Sequence, residues 1–404
     1  MNKVVFISWT SMIEPLGRSQ VQAYLKPLSK DYKFILLSAE NNTDSEQHLS
    51  QFSEFEGKNI FWHPIDISKF PTSPLKQFFF VFLATLKVIS LNKNSDKISL
   101  IHSRSFFPSV AAFFASKIIN SMFIFDMRSL WIDEKIMAGK IKKNSLTNKF
   151  FLGIERVLLK NSSKIISLTK SGKKKLIERY PKLNLDTKIS VIPTCVETSR
   201  FSNNNKKKDR KIFAHVGSLL NGWFDINFLQ TYIKTALDFD KELIINIVSR
   251  EDKDKIYEAL SLSNSHKKRV DVFSLEFDDV PKYLQKISAS MIFMLNGDGK
   301  LGSMPTRLGE LMATGVPIIL NNSSPDVAEM IENYRIGVNI EDFSKRGIIN
   351  SIESIEKIIF NPKTKSLCSK ITKDYFSVDS GVKEYKKIYK ELILQNLLES
   401  KMIK

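Results

Sequence analysis

The chain has 404 residues, 43% of them hydrophobic and 26% charged, a balance that excludes disordered and fibrous classes and predicts two or three globular domains. Two cysteines, Cys195 and Cys368, are too few and too far apart for a disulfide framework or a metal site, and they point to a reducing compartment. A formal net charge of +18 calls for an anionic partner: nucleic acid, an anionic lipid surface or a phosphorylated substrate.

That charge is concentrated. Residues 135–188 hold 15 Lys/Arg against 3 acids, a field suited to an anionic membrane surface, with a solvated lysine-rich face as the plain alternative. Nucleic acid is not expected, because no basic and aromatic interleaving of a known module is present. Met1-Asn2-Lys3 runs straight into an apolar strand, unlike a signal peptide. The most apolar windows, 78–86 and 106–115, fall short of the roughly 20 residues that span a bilayer. The expectation is a cytoplasmic protein, peripheral at most on the inner face of the plasma membrane.

In chain order, 3–8 reads as a strand and 9–19 as a loop leading to a helix over 21–29. Gly17 in that loop would let backbone approach a phosphate. A second strand is expected at 34–38. The segment 70–92 reads as a lysine-flanked helix carrying Phe78, Phe79, Phe80 and Phe82, rings that either pack on a sheet or form an interfacial membrane face. At 100–105 a strand end bearing His102 and Arg104 enters a loop before a helix at 108–119, the position where open α/β sheets bind ligands. The strand at 123–128 ends in Asp126 and Arg128 and continues to Asp133 and Glu134. Four charges so close to a buried strand must line a cleft or pair with one another. Helices at 148–160 and 170–179 flank a strand at 164–169, and a strand at 188–193 ends the first domain.

The residues 203–211 have linker composition. The strand pattern restarts at 212–216 and leads into Gly217-Ser218, a second phosphate-facing turn. A strand at 243–248 is followed by Arg250, a helix is expected at 280–287, and a strand at 291–295 leads to a loop holding Lys300. A long closing helix at 382–398 carries Tyr385, Ile388, Tyr389 and Leu392 at helical spacing. The segmentation is 1–198, a linker at 199–211, a second domain at 212–375 and a terminal helix at 376–404.

The most informative stretch is 303–320, Ser-Met-Pro-Thr-Arg-Leu-Gly-Glu-Leu-Met-Ala-Thr-Gly-Val-Pro-Ile-Ile-Leu. It reads as a helix capped by Ser303 with Pro305 in its first turn, ended by Gly315 and Pro317, then a buried strand. Thr306 and Glu310 share a helix face. The open N-terminus and Arg307 suit a diphosphate, and Glu310 suits sugar hydroxyls.

This stretch resembles the donor-binding signature of bacterial family 4 glycosyltransferases, which have the GT-B fold. The resemblance implies two Rossmann-like domains facing across a cleft, with the terminal helix crossing back to the first. It implies that the helix N-terminus meets the nucleotide diphosphate and that Glu310 binds the ribose. Glu14-Pro15-Leu16-Gly17-Arg18-Ser19-Gln20-Val21, with Tyr24-Leu25, is similar to the N-terminal motif of one subgroup acting on bacterial surface polysaccharides. The run Phe123–Glu134 resembles the same subgroup, and so does Ile192-Pro193-Thr194-Cys195-Val196 at the end of the first domain. The loop of His102 matches a functional histidine-containing loop. Two departures stand out. Leu219-Leu220-Asn221-Gly222-Trp223 replaces an Arg and Lys pair, and Gly302 replaces the first carboxylate of the family's Glu-x7-Glu pattern.

The reading is therefore a retaining, metal-independent glycosyltransferase without a cofactor, using a UDP- or GDP-linked sugar and a lipid-linked glycan acceptor. His102, Arg104, Arg250 and Lys300 are the catalytic candidates. Gly17, Gly217, Ser218, Ser303, Thr306, Arg307 and Glu310 are assigned to the donor. Asp126, Arg128, Asp133 and Glu134 are assigned to the acceptor. Asp238-Phe239-Asp240 reads as surface, not as a metal-binding pair. The rival is a non-catalytic GT-B-fold protein that binds nucleotide or docks on a membrane, favoured by the two departures.

Overall fold

In the computed structural model, the described residues are 1–43, 50, 53–54, 58–92, 97–201 and 211–402, with side chains to 398. Residues 203–210 of the expected linker lie outside them. The chain divides into two units, Met1–Pro193 with Val378–Lys404, and Thr194–Ser377.

The first unit is built on β1 (Asn2–Ser8), β2 (Tyr32–Glu40), β3 (Ile60–Asp66), β4 (Ile98–Arg104), β5 (Phe123–Asp126), β6 (Lys164–Ser167) and β7 (Ile189–Val191). They pair in parallel in the order β3-β2-β1-β4-β5-β6-β7. A parallel sheet covered on both faces needs nearly continuous apolar strands, and Val4, Val5, Ile7, Leu36, Leu37, Leu100, Ile101 and Ile124 are all buried. Its helices are α1 (Pro15–Gly17), α2 (Ala23–Leu28), α3 (Ser73–Leu91), α4 (Phe106–Ile119), α5 (Trp131–Met137), α6 (Leu146–Asn161) and α7 (Lys170–Arg179). Right-handed crossovers place α3, α4 and α6 on one face and the α1–α2 segment on the other. The terminal helix Val378–Met402 packs on α2 and β4.

Two expectations change here. The loop expected through Ser19 is helical from Pro15, which occupies the first helical position, where its fixed φ favours the helix. A π-helical turn over Arg18–Gln22 then joins α1 to α2. Gly17 has ordinary helical φ, but a Cβ there would run into the Ser11 carbonyl, so its role is close packing of helix on loop. The apolar window at 78–86 belongs to a 19-residue helix that is long and apolar enough to cross a membrane by length and composition. Only one stripe of it is buried, Phe80, Ala84 and Val88.

The second unit repeats the plan with β8 (Ile212–Val216), β9 (Ile244–Val248), β10 (Val270–Phe273), β11 (Ala289–Ile292), β12 (Ile318–Leu320) and β13 (Gly337–Asn339). The parallel order is β10-β9-β8-β11-β12-β13. Its core gathers Phe213, Tyr232, Ile233, Ile245, Ile247, Met291, Phe293, Ile319 and Ile352. The helices that matter for the site are α8 (Ile226–Phe239), α9 (Lys253–Leu260), then α10 (Asn264–Lys267), α11 (Val280–Leu284), α12 (Asp298–Leu301) and α13 (Thr306–Ala313). In both sheets the strand order reverses at a central pair, β1 beside β4 and β8 beside β11. That reversal is where doubly wound sheets open a crevice at their C-terminal edge.

Candidate functional site

The C-terminal edge of the second sheet gathers the groups that suit an anion. After β11 the chain forms α12 and α13 in quick succession. Pro305, not Ser303, takes the N-cap position of α13, and no side chain caps the helix there. Ser303 lies two residues further upstream and its hydroxyl instead donates to the Gly299 carbonyl at 3.2 Å, tying off α12. At the other end Gly315 takes φ +69, the left-handed turn that only glycine enters without cost, and the strand β12 follows Pro317.

Thr306 opens α13, and in its first turn the Leu308 N–H already donates to the Pro305 carbonyl at 3.0 Å. Arg307 donates to the Glu310 carboxylate one turn on. Burial raises the Glu310 pKa, against the pull of Arg307 and Arg200. Arg200 itself lies over the Phe277 ring at 3.8 Å and donates to Asp278 at 3.0 Å. Lys300 is only 3% exposed, and its ammonium sits 3.6 Å from the centre of the Trp223 ring. A cation over an indole face is held by the ring quadrupole. Trp223 stands in the segment where the family resemblance implies basic residues, so this departure supplies a seat for a lysine from elsewhere.

Gly217 leaves β8 with φ +143, followed by exposed Ser218. The next two backbone N–H groups, of Leu219 and Leu220, both donate to the Glu251 carboxylate at 2.5 and 3.0 Å. Ser249 adds a hydroxyl at 3.1 Å. Converging N–H groups form an anion-binding concavity, and here the chain's own carboxylate occupies it. Arg250 points away from this cluster: its side chain is 56% exposed and bonds Glu276 at 3.3 Å. Below the turn, burial drives the His215 pKa down to about 4.

The first unit carries a buried polar cluster at the ends of β4 and β5. His102, a catalytic candidate from the sequence, lies inside this cluster and not at an open surface. Its ring is buried, with Nδ1 at 2.6 Å from the Tyr389 hydroxyl and Nε2 at 3.4 Å from Asp126. Burial lowers its pKa despite Asp126, which keeps the imidazole neutral. Asp126 also accepts from the Tyr385 hydroxyl at 3.1 Å and lies 3.6 Å from Arg128. Burial alone would raise the Asp126 pKa, but Arg128, His102 and Arg104 hold it below the usual range. Arg104 donates to Thr10 at 2.9 Å and Arg128 to Gln20 at 3.2 Å. Burial and then the neighbouring Arg128 bring the Arg104 pKa down to about 10. Arg128 thus pairs with the Asp126 carboxylate, and Arg104 adds its charge without a direct bond to it. Arg128 and Ser105 both have positive φ, +61 and +78, the kind of backbone strain that concentrates where function fixes a side chain.

Asp133 and Glu134 do not join this cluster. Arg179 donates to both Asp133 oxygens at 2.7 Å and to the buried Glu155 at 3.1 Å, an ion pair tying α5 and α6 to α7. Glu134 accepts from Ser129 at 3.0 Å. These contacts are structural. Among the described residues no three His, Cys, Asp or Glu side chains gather as a metal site. Asp238 and Asp240 pair with His266 and Lys211. Sequence reasoning does not single out Glu251, Trp223, Arg200 or the two tyrosines as site groups. Only the tyrosines leave a signal, their spacing on the closing helix.

No known family profile matches the chain, and no curated protein sequence matches it. Solved structures do. Sucrose-phosphate synthase from Thermosynechococcus elongatus is similar at 12% identity with a TM-score of 0.72, covering 98% of this chain and 100% of that one. HepE of Anabaena, solved in complex with UDP and glucose, is similar at 14% identity and TM-score 0.67, covering 96% and 99%. The lipopolysaccharide outer core galactosyltransferase WaaB, in its apo form, is similar at 12% identity and TM-score 0.62, covering 96% and 99%. Likeness at these identities is likeness of fold. Together with the two doubly wound parallel sheets it makes this a GT-B-fold chain.

Proposed function

We propose that the chain is a glycosyltransferase that takes a sugar from a nucleotide-diphosphate sugar, UDP- or GDP-linked, and passes it to a lipid-linked glycan in bacterial surface-polysaccharide synthesis. The observation that carries the reading is the start of α13 in the second unit, where Arg307 and Arg200 set positive charge against the buried Glu310, with Lys300 buried against Trp223 in the short helix just before it. A departing diphosphate is the anion that such a site stabilises, and preorganised charge of this kind usually contributes more to catalysis than any other single effect. Glu310 binds the ribose hydroxyls through the carboxylate that Arg307 orients. HepE has been solved with UDP-glucose, and TarM of S. aureus with UDP, so the fold accommodates this donor class.

Transfer proceeds with retention in this reading. Lys300 and Arg307 take up the charge of the leaving diphosphate, and a donor phosphate oxygen accepts the acceptor proton. The first unit holds the acceptor near Arg104 and Arg128. The charge on these side chains lets the reaction run without a metal. A second reading, a GT-B-fold protein that binds nucleotide without transfer, draws on Glu251 filling the turn after β8 and on glycine at position 302.

Thermal-shift binding of UDP, GDP, ADP and CDP with their sugars separates the two. A ligand at about 100 times its Kd adds ~2.7 kcal/mol, which raises the melting point of a unit of this size by roughly 5–11 °C. One nucleotide should stabilise the wild type but not Glu310→Ala, and its sugar should be consumed with a glycan acceptor. No shift with any nucleotide refutes both readings, and a shift without turnover leaves the second.

A further inference from the structure

Helices α3, α4 and α6 lie side by side over one face of the first sheet. Thr85 of α3 reaches the Ala111 carbonyl of α4 at 3.4 Å, and Phe151 of α6 meets Phe106 of α4 at 6.0 Å between ring centres. Each helix buries one stripe and turns another outward. On α3 the outward stripe is Phe78, Phe82 and Leu86, with Phe78 64% exposed. On α4 it is Phe114 and Ile118, the latter 63% exposed. On α6 it is Leu146, Phe150 and Val157, with Phe150 64% exposed. Spacings of four and seven residues keep each set on one helix face. Apolar surface of this extent is seldom left uncovered on a soluble chain.

The charges around it have one sign. The three helices carry Lys76, Lys87, Lys117, Lys149, Arg156 and Lys160, and their one acid, Glu155, is buried against Arg179. The segment before α6 adds exposed Lys140, Lys142 and Lys143. The outer face of this layer therefore presents rings and cations with no exposed carboxylate on its helices.

We propose that this three-helix face docks the protein on an anionic lipid surface. The inference deepens the proposed function by naming the surface from which a lipid-linked acceptor is reached, and to that extent it rests on that reading. Charge complementarity selects the occupant. A second copy of the same face would bring lysines against lysines, whereas anionic headgroups pair with the cations while the rings enter the interface. Helix α3 lies on the bilayer rather than through it. It joins β3 to β4 inside the sheet, and withdrawing it would expose Phe80, Ala84 and Val88, which have no solvent exposure.

The test is co-sedimentation of the full chain with vesicles, without nucleotide. Vesicles of phosphatidylcholine mixed with phosphatidylglycerol should carry the protein down, with binding that weakens as salt rises, and vesicles of phosphatidylcholine alone should not. Replacing Lys142 and Lys143 by Ala should weaken binding about fivefold per lysine. The double variant Phe78→Ser with Phe82→Ser should lose binding while keeping its helical circular dichroism. Equal binding to both vesicle types, or to neither, overturns the proposal, and so does unchanged binding of the lysine variant, which lies in an exposed segment and leaves the core alone. A dimer abolished by the phenylalanine variant would also overturn it, by giving the face to a second copy. Nucleotide-induced melting shifts read the transferase site separately, so either reading can fail without the other.

Discussion

Asp126 is the residue on which the first unit's buried charge turns, and Asp126→Ala has a calculable cost. Its carboxylate lies in the core, 3.1 Å from the Tyr385 hydroxyl, 3.4 Å from His102 and 3.6 Å from Arg128. Truncation removes the acceptor for a hydroxyl and an imidazole and the carboxylate that offsets two buried guanidiniums. Breaking a buried ion pair in this way costs about 3–5 kcal/mol, a large share of the ~5–15 kcal/mol that stabilises a domain. At roughly 2–4 °C per kcal/mol for a unit of this size, melting of the first unit should fall by about 6–20 °C. Two of the cluster's side chains, Tyr385 and Tyr389, come from the terminal helix Val378–Met402. Amide exchange in that helix should accelerate with the loss of stability. The double variant Asp126→Ala with Arg128→Ala should be less damaging than the two single losses added together, since each alone strands the other's charge. A melting change within about 2 °C for Asp126→Ala would refute the reasoning, because it would mean that the cluster is solvated.

Stability should also decline with acid, and the histidines set where. Both His102 and His215 have folded pKa values below the ordinary ~6.5, with burial as the first cause. As pH falls below that value the unfolded chain takes up protons first, so stability drops from there until the folded value is passed. For His215, held at about 4, the whole descent amounts to ~3 kcal/mol, measurable as urea midpoints of the second unit between those two pH values. Two glycines give opposite expectations: Gly17→Ala should destabilise by about 1–3 kcal/mol, because the added Cβ meets the Ser11 carbonyl. Gly153→Ala, on α6 with open space around it, should stabilise by up to ~1 kcal/mol, a gain that the same melting measurement on the first unit would show.

How far the sequence can be read depends on how local the physics is. The stretch 303–320 is legible because its signals are contiguous: Gly315 turns left-handed, Pro317 stops the helix, and three buried residues make β12. Its start differs from expectation because Pro305 takes the N-cap position without a side-chain cap bond, which moves the helix past Ser303. The strands β3 and β13 give weaker patterns. The former contains His63 and Pro64, tolerated at a sheet edge, and the latter is three residues long. His102 can be recognised as sitting at a strand end, but its partner Tyr389 is 287 residues away. The spacing of Tyr385 and Tyr389 shows a helix face without showing what that face covers. The same ambiguity holds for Phe78 to Phe82. Consecutive rings on a helix point in different directions, and the fold sends Phe80 inward and Phe78 and Phe82 outward.

Charge counting has a related blind spot. It selects Arg250 as a cation at a strand end and passes over Glu251 beside it, because a carboxylate does not suit a diphosphate site. In the structure Arg250 bonds Glu276 at the surface, while Glu251 ties down the Leu219 and Leu220 N–H groups. A turn already holding an anion cannot give the same N–H groups to a phosphate without releasing that carboxylate, which would then face the incoming negative charge. In the proposed function the positive field for a donor would therefore come from Lys300 on its indole seat, Arg307 and the first turn of α13. The missing Arg and Lys pair is then not simply a loss. Trp223, in the segment that replaces it, seats Lys300, and the proposed function gives that lysine the missing pair's role.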